Sequence, residues 1–256
     1  MPFTLAHPAA VLPLRGSRYL LTAPLIIGAV APDLPYFVPG LLGRFVPETH
    51  ELDSSYTVCL GLGYLLLVAI FVLRQPLTAL LSPRARWLCL RALEPFRTRS
   101  SAWLFAALAI VIGTWTHLLW DSFTHADGWI ARRVAALTAP VTIGAWTGPL
   151  CHVLQYASSV VGLLALAIWY WRLPAPGKVP AALGAPRSAA GPILMLVATA
   201  ALLIGGVQAT AYFHHSHAEY YRSINIFLTH SLAWFAALYL VAGVVITLEH
   251  KSEPGP

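Results

Sequence analysis

The residues best suited to chemistry sit where a long apolar run, residues 102–120, gives way to polar groups. The stretch reads Gly113-Thr114-Trp115-Thr116-His117-Leu118-Leu119-Trp120-Asp121-Ser122-Phe123-Thr124-His125-Ala126-Asp127. His117 and Asp121 are four residues apart, which on a helix places them one above the other on one face. His125 continues that face if the helix runs one more turn. An imidazole and a carboxylate at this spacing can hold one divalent ion, as the two histidines of an H-E-x-x-H helix do. Such groups at the end of a membrane helix cost energy unless paired or hydrated, and so point to function. The competing reading is a polar helix end wetted at the membrane surface.

Two further segments carry groups of the same kind, Ala31-Pro32-Asp33 and Glu48-Thr49-His50, each at the end of an element. Together with His117-x-x-x-Asp121 and His7 they could supply two imidazoles or three, plus two carboxylates. That mixture suits zinc, manganese or iron, which accept both nitrogen and oxygen. Calcium would want oxygen alone. His7 precedes Pro8 and can equally serve as the cap of the short helix that Pro8 begins. The histidines at 214, 215 and 217 read as a solvated interfacial patch, and His152 and His230 as bundle histidines satisfied by their neighbours.

Membrane helices are the elements that must position these groups. Of 256 residues, 58% are hydrophobic and only 10% charged, with a mean hydropathy of +0.69. A soluble domain carries about 25% charge. The length leaves room for one bundle and no large soluble domain. The net charge of +6 does not indicate nucleic acid, because the basic residues cluster in short loops between apolar spans. Cys59, Cys89 and Cys151 are scattered without metal-type spacing, so neither a disulfide framework nor a zinc knuckle is indicated.

Apolar runs at 56–73, 102–120, 150–171, 192–213 and 224–248 predict five crossing helices. Arg84, Arg86, Arg91, Arg97 and Arg99 stand against Glu94 alone, which predicts a cytoplasmic basic loop over 74–100. The Pro-, Ala- and Gly-rich stretch 173–191 predicts a flexible cytoplasmic loop. The C terminus is then cytoplasmic. His50, His117, His125, His152, His214, His215, His217 and His230, eight of the ten histidines, fall toward the outer face. Residues 122–149 read as an interfacial helix and turn on that side.

The N terminus needs a separate argument. Residues 8–14 and 19–31 make helices of about 10 Å and about 20 Å at 1.5 Å per residue, and neither reaches the ~20 residues that span hydrocarbon. Arg15-Gly16-Ser17 forms the turn between them. The expectation over 1–42 is a re-entrant hairpin that enters and leaves on one side. It would bring His7 within roughly 5 Å of Asp33, with Arg15 and Arg18 at its tip. A sixth crossing is the alternative, and it would separate His7 from Asp33 by about 30 Å. The run before Ala31 imitates a signal peptide, but Pro32 directly after the apparent cleavage site argues against cutting. The expected fold is all-α: a polytopic membrane helix bundle, one domain over 1–256, with five full transmembrane helices plus the hairpin.

The opening Met1-Pro2-Phe3-Thr4-x-x-His7-Pro8-Ala9-Ala10-Val11-Leu12-Pro13-Leu14, with Ala31-Pro32-Asp33-x-Pro35-Tyr36-Phe37, resembles bacterial membrane proteins of domain-of-unknown-function family 4184. The likeness spans essentially the whole chain. More distantly, His7, Pro32-Asp33, His50 and His117-x-x-x-Asp121 are similar to the pattern of inner-membrane proteins described as presumed metal-dependent hydrolases. That pattern has a second acid two residues after the Asp33 position and a second histidine near the His50 position. Here Asp33 is followed by Leu34-Pro35-Tyr36, and only His50 remains. A likeness to zinc-dependent phospholipase C rests on the His-x-x-x-Asp element.

The resemblance implies a hydrolase of the inner (plasma) membrane with an outward-facing site. His117, Asp121, Asp33, His50 and His7 would hold the ion, most naturally zinc, which would activate a water. Glu51 or Asp127 would take the proton. His125 would face the substrate, and Arg132 and Arg133 would bind its anionic group, unless they only anchor to headgroups. A phosphate ester or lipid headgroup is the expected substrate at this depth. The expected partners are the lipid bilayer and that substrate, with no nucleic acid. The alternative is a non-enzymatic membrane protein whose metal or polar cluster is structural. A transporter would show broken helices in two repeated halves, and the sequence has no such repeat.

Overall fold

A computed structural model of the chain describes residues 4–16, 19–37, 49–144, 146–174, 190–216 and 220–252. The chain begins with a 3-10 helix over Thr4–Leu14, then α1 (Thr22–Val30), a 3-10 helix over Ala31–Phe37 and a 3-10 turn over Asp53–Tyr56. There follow α2 (Val58–Val72), α3 (Arg74–Thr78), α4 (Pro83–Thr98), α5 (Ser101–Thr124) and α6 (Ala135–Thr138). A hairpin of β1 (Pro140–Ile143) and β2 (Trp146–Pro149) leads into α7 (Leu150–Arg172), α8 (Ala190–Ser216) and α9 (Tyr220–Ser252). Five stretches are long and apolar enough to cross a bilayer: Asp53–Val72, Ser101–Thr124, Leu150–Arg172, Ala190–His214 and Ile226–Glu249. They coincide with the five runs expected from hydropathy, and the chain is an all-α polytopic helix bundle. At 24 residues, α5 is about 36 Å long and exceeds the ~30 Å of hydrocarbon.

The described residues divide into two compact units. One holds residues 4–35, 49–67 and 95–174, and the other holds 36–37, 68–94 and 190–252.

In the first unit the N-terminal hairpin packs on α5. Pro8 and Pro13 lie inside its first arm, where each removes a backbone donor, and the arm winds as a 3-10 helix. Gly16, at φ +95°, makes the turn, and Arg15 reaches back to donate to the Leu12 carbonyl at 3.0 Å. The second arm, α1, has nine residues and is about 14 Å long, too short to cross. It lies against α5 at backbone contact: a Cβ on Gly28 would strike the Ile110 carbonyl, and one on Gly113 would strike the Leu25 carbonyl. Such close approach is how small residues join helices where no water drives association. Val11, Leu25, Ala29 and Ala109 form the buried apolar centre of this contact. On α2, Gly63 accommodates the Ile110 side chain, and the Tyr64 hydroxyl donates to the Trp103 carbonyl at 2.5 Å.

The second unit is built on the pairing of α8 with α9. Gly205 leaves room for Ser231, and His230 Nδ1 lies 2.8 Å from the Gln208 amide oxygen. This matches the expectation of a bundle histidine satisfied by a neighbour. α3 docks on α9, with Tyr239 donating to the Leu77 carbonyl at 2.9 Å.

Two local expectations change. Residues 74–100, read as a loop, carry helices α3 and α4. Arginine favours the helix as well as leucine does, so a basic sequence gives no warning against one. Within 122–149 the expected interfacial helix is only the four residues of α6, and an antiparallel hairpin follows it, with Val141 opposite Gly148 and Gly144 at φ +60° in the turn.

Candidate metal centre

Four elements of the first unit converge. On α5, His117 and Asp121 share one face, as their spacing requires, and both are buried. Where α1 ends, Pro32 and Pro35 tighten the chain into a 3-10 helix that carries Asp33, 1% exposed. His7 sits buried in the first arm. The turn at 49–59 adds His50. The Thr49 hydroxyl donates to the Pro32 carbonyl at 2.7 Å, which ties this turn to the Asp33 element. Ser54 Oγ then donates to the Thr49 carbonyl at 2.9 Å.

The groups meet at short, uniform distances. His117 Nε2 is 3.2 Å from Asp121 Oδ2 and 3.7 Å from Asp33 Oδ1. His50 Nε2 is 3.4 Å from Asp33 Oδ1 and 3.6 Å from Asp121 Oδ2. His7 Nε2 is 3.5 Å from Asp121 Oδ1. The His7 and His117 rings stack with centroids 3.8 Å apart. Two overlapping sets, His7 with Asp33 and His117, and His50 with His117 and Asp121, each keep their ligand atoms within 4.8 Å of one another. The expected juxtaposition of His7 and Asp33 is thus present.

These separations are longer than good N–H···O hydrogen bonds, which cluster near 2.9 Å. Two donors that share one tetrahedral ion at 2.0–2.1 Å stand about 3.3–3.4 Å apart. Both ring nitrogens of His7, His117 Nε2 and Asp121 Oδ1 are buried with no hydrogen bond among the described residues, a costly condition for polar atoms. The donor set and its spacing therefore fit a divalent ion.

The surroundings prepare the groups for that role. His117 Nδ1 lies 2.8 Å from the Ala29 carbonyl, which can only accept, so Nδ1 carries the proton and Nε2 presents its lone pair. Burial pushes the His7 imidazole down to about 4, and neighbouring His117 adds to this, which leaves His7 neutral. Burial alone would raise the Asp33 carboxyl. His117, His50 and His7 facing it, and the Thr4 hydroxyl, outweigh that and hold it below the usual carboxylate range. Thr4 Oγ1 donates to Asp33 Oδ2 at 2.6 Å, so Oδ1 is left toward the imidazoles. Thr4→Val should therefore weaken zinc affinity roughly tenfold to a hundredfold. It should also cost about 1–3 kcal/mol of stability by stranding a buried carboxylate oxygen. Zinc titration and thermal melts check both effects, and Thr4→Ser should restore them; an unchanged affinity in Thr4→Val would remove the orienting role.

The other sequence-derived residues lie around this cluster or apart from it. His125 Nδ1 is 3.5 Å from Asp121 Oδ1, and the side chain is 26% exposed. Glu51 and Asp127 are exposed and fall outside both converging sets. Arg132 and Arg133 are exposed, and the Arg133 guanidinium lies over the Trp129 ring at 4.2 Å. Exposed His214 belongs to the second unit. Glu48, Arg18 and His217 lie outside the described residues. Thr4, Thr49 and the Ala29 carbonyl were missed as supports of the cluster. Only Thr4 had a signal, its place in the opening motif.

Fold and cluster together define a multi-pass helical membrane protein with a buried His/Asp centre. The chain belongs to the family described as Domain of unknown function (DUF4184), whose model matches residues 1–248. No curated protein and no solved structure matches it.

Proposed function

We propose that this protein is a metal-dependent hydrolase of the bacterial inner membrane, with its site facing away from the cytoplasm and its C terminus inside. The observation that carries the reading is the convergence of three imidazoles and two carboxylates at 3.2–3.7 Å. Two ionised carboxylates carry two negative charges, which a divalent cation balances in a site that cannot tolerate them alone, with the imidazoles as nitrogen donors. Zinc suits the donor set best, with manganese or iron as substitutes. The ion supplies Lewis-acid polarisation of the scissile group and activation of a water. The distant likeness to presumed membrane hydrolases agrees with this.

The chain's own residues do the rest. His50, with its side chain 29% exposed, marks the side from which substrate arrives. His125 shares that exposure beside Asp121. Glu51 or Asp127 accepts the proton, and Arg132 and Arg133 attract the anionic group. A phosphate ester or lipid headgroup fits a site at the end of a membrane helix. In full-length protein in nanodiscs, phosphomonoester or phosphodiester hydrolysis should disappear on chelation and return with added zinc. Zinc-loaded protein that turns over none of these substrates would remove the hydrolase reading.

The burial of His7, Asp33 and His117 favours a second reading, in which the ion clamps the hairpin to α5 and does no chemistry. Chelation would then lower the melting temperature, and no turnover would be found.

A further inference from the structure

Outside the metal cluster, one group on α7 stands out. Gln155 is 1% exposed, and neither its Nε2 nor its Oε1 has a hydrogen-bond partner among the described residues. A buried amide without partners costs about 1–3 kcal/mol, so it calls for an explanation. Packing does not require it, since Leu or Met fills a similar volume without that cost.

Its place in the fold supplies one. The buried face of α7 is Cys151, Gln155, Ser159 and Gly162. At Gly162 this face meets the arm that carries His7: a Cβ there would lie 3.1 Å from the Ala6 carbonyl. Trp120 Nε1 donates to Ser158 Oγ at 3.1 Å, which sets Ser158 opposite the turn of α5 between His117 and Asp121. His152 lies within electrostatic range of His125. Residue numbers therefore fall along α7 as they rise along α5. Gln155 is bracketed between Ser158 and His152, at the level of Asp121 to Thr124. Along the helix axes Gln155, on the buried face of α7, therefore stands within about one turn, roughly 5.4 Å, of the level of Asp121.

We propose that the Gln155 amide is a substrate-binding group of this site, its Nε2–H donating to a non-bridging oxygen of a phosphoryl group held beside the ion. The proposal rests on the reading of the cluster as an ion site. A neutral amide suits the task. It donates to an oxyanion without adding a cation that would repel the metal, and it stays uncharged at any pH the membrane meets.

The test uses full-length protein in nanodiscs, loaded with zinc, with inorganic phosphate as the probe. Wild type should bind phosphate, and Gln155→Leu should bind it roughly tenfold to a hundredfold more weakly. Gln155→Leu should keep its full zinc content and melt at an equal or higher temperature, because an unpartnered amide has been replaced by an apolar side chain. Gln155→Glu, nearly the same shape, should retain zinc and lose phosphate through charge repulsion. If wild type binds no zinc, the ion-site reading fails. If wild type and Gln155→Leu both hold zinc and bind phosphate equally, or wild type holds zinc and binds no phosphate, the role given to Gln155 is overturned and the ion site stands.

Discussion

Alanine at His117 or Asp121 is expected to weaken zinc binding by more than about a hundredfold, beyond what loss of an outer support costs. His117 stands at the middle of the cluster. Its Nε2 faces both carboxylates, its ring stacks on His7, and its Nδ1 is held by the Ala29 carbonyl. Asp121 faces four histidines: His7, His50, His117 and His125. Asp121→Asn keeps the shape and removes the charge, and should lose zinc nearly as completely. That outcome separates ligand loss from collapse. His230→Ala, at a histidine engaged by Gln208, should leave zinc binding unchanged. Equal zinc affinity across wild type and all these variants would show that the pair is no ligand set.

The second large effect is expected at Gly28 and Gly113, which allow α1 and α5 to touch. Leucine at either position would press a side chain into a backbone carbonyl, Ile110's in one case and Leu25's in the other. Overpacking against side chains costs about 1–3 kcal/mol, and a backbone obstacle cannot rotate away, so the loss should exceed that range. Zinc binding should fall with it, since the Ala29 carbonyl that orients His117 follows Gly28 directly. Gly61→Leu is the control, because among the described residues a Cβ there meets nothing within 4 Å. Thermal melts should show a large drop for the first two variants and little change for the third. A stable Gly28→Leu protein with full zinc affinity would break the link between hairpin packing and the site.

Much of this arrangement was legible in the sequence because membrane physics leaves few options. Apolar runs near 20 residues must be helices. The four-residue spacing of His117 and Asp121 then put both on one face. The shortness of the two N-terminal runs was informative in the same way, since a segment that cannot cross must return, and the return carries His7 to Asp33. What stayed hidden depends on contacts distant in sequence. Thr4 is 29 residues from the Asp33 it supports. The Ala29 carbonyl is 88 residues from the ring it orients, and a backbone oxygen leaves no mark in the residue types. His152, Gln155, Tyr156 and Ser159 make a polar stripe at helical spacing on α7, but only the fold distinguishes buried Gln155 from its exposed neighbour Tyr156. Helix α4 was hidden because its arginines suit a cytoplasmic loop and a helix equally well.

X-ray absorption at the zinc edge of purified, zinc-loaded protein reads the ligands of the ion. A first shell of nitrogen and oxygen only is expected, at about 2.0–2.1 Å, with the outer-shell scattering of two to three imidazole rings. The Asp121→Asn variant should lose that signature. A sulfur shell near 2.3 Å would instead place the ion on Cys59, Cys89 or Cys151, and a hydrated ion without imidazole scattering would place it on no built site; either result would contradict a metal centre made by His7, Asp33, His50, His117 and Asp121.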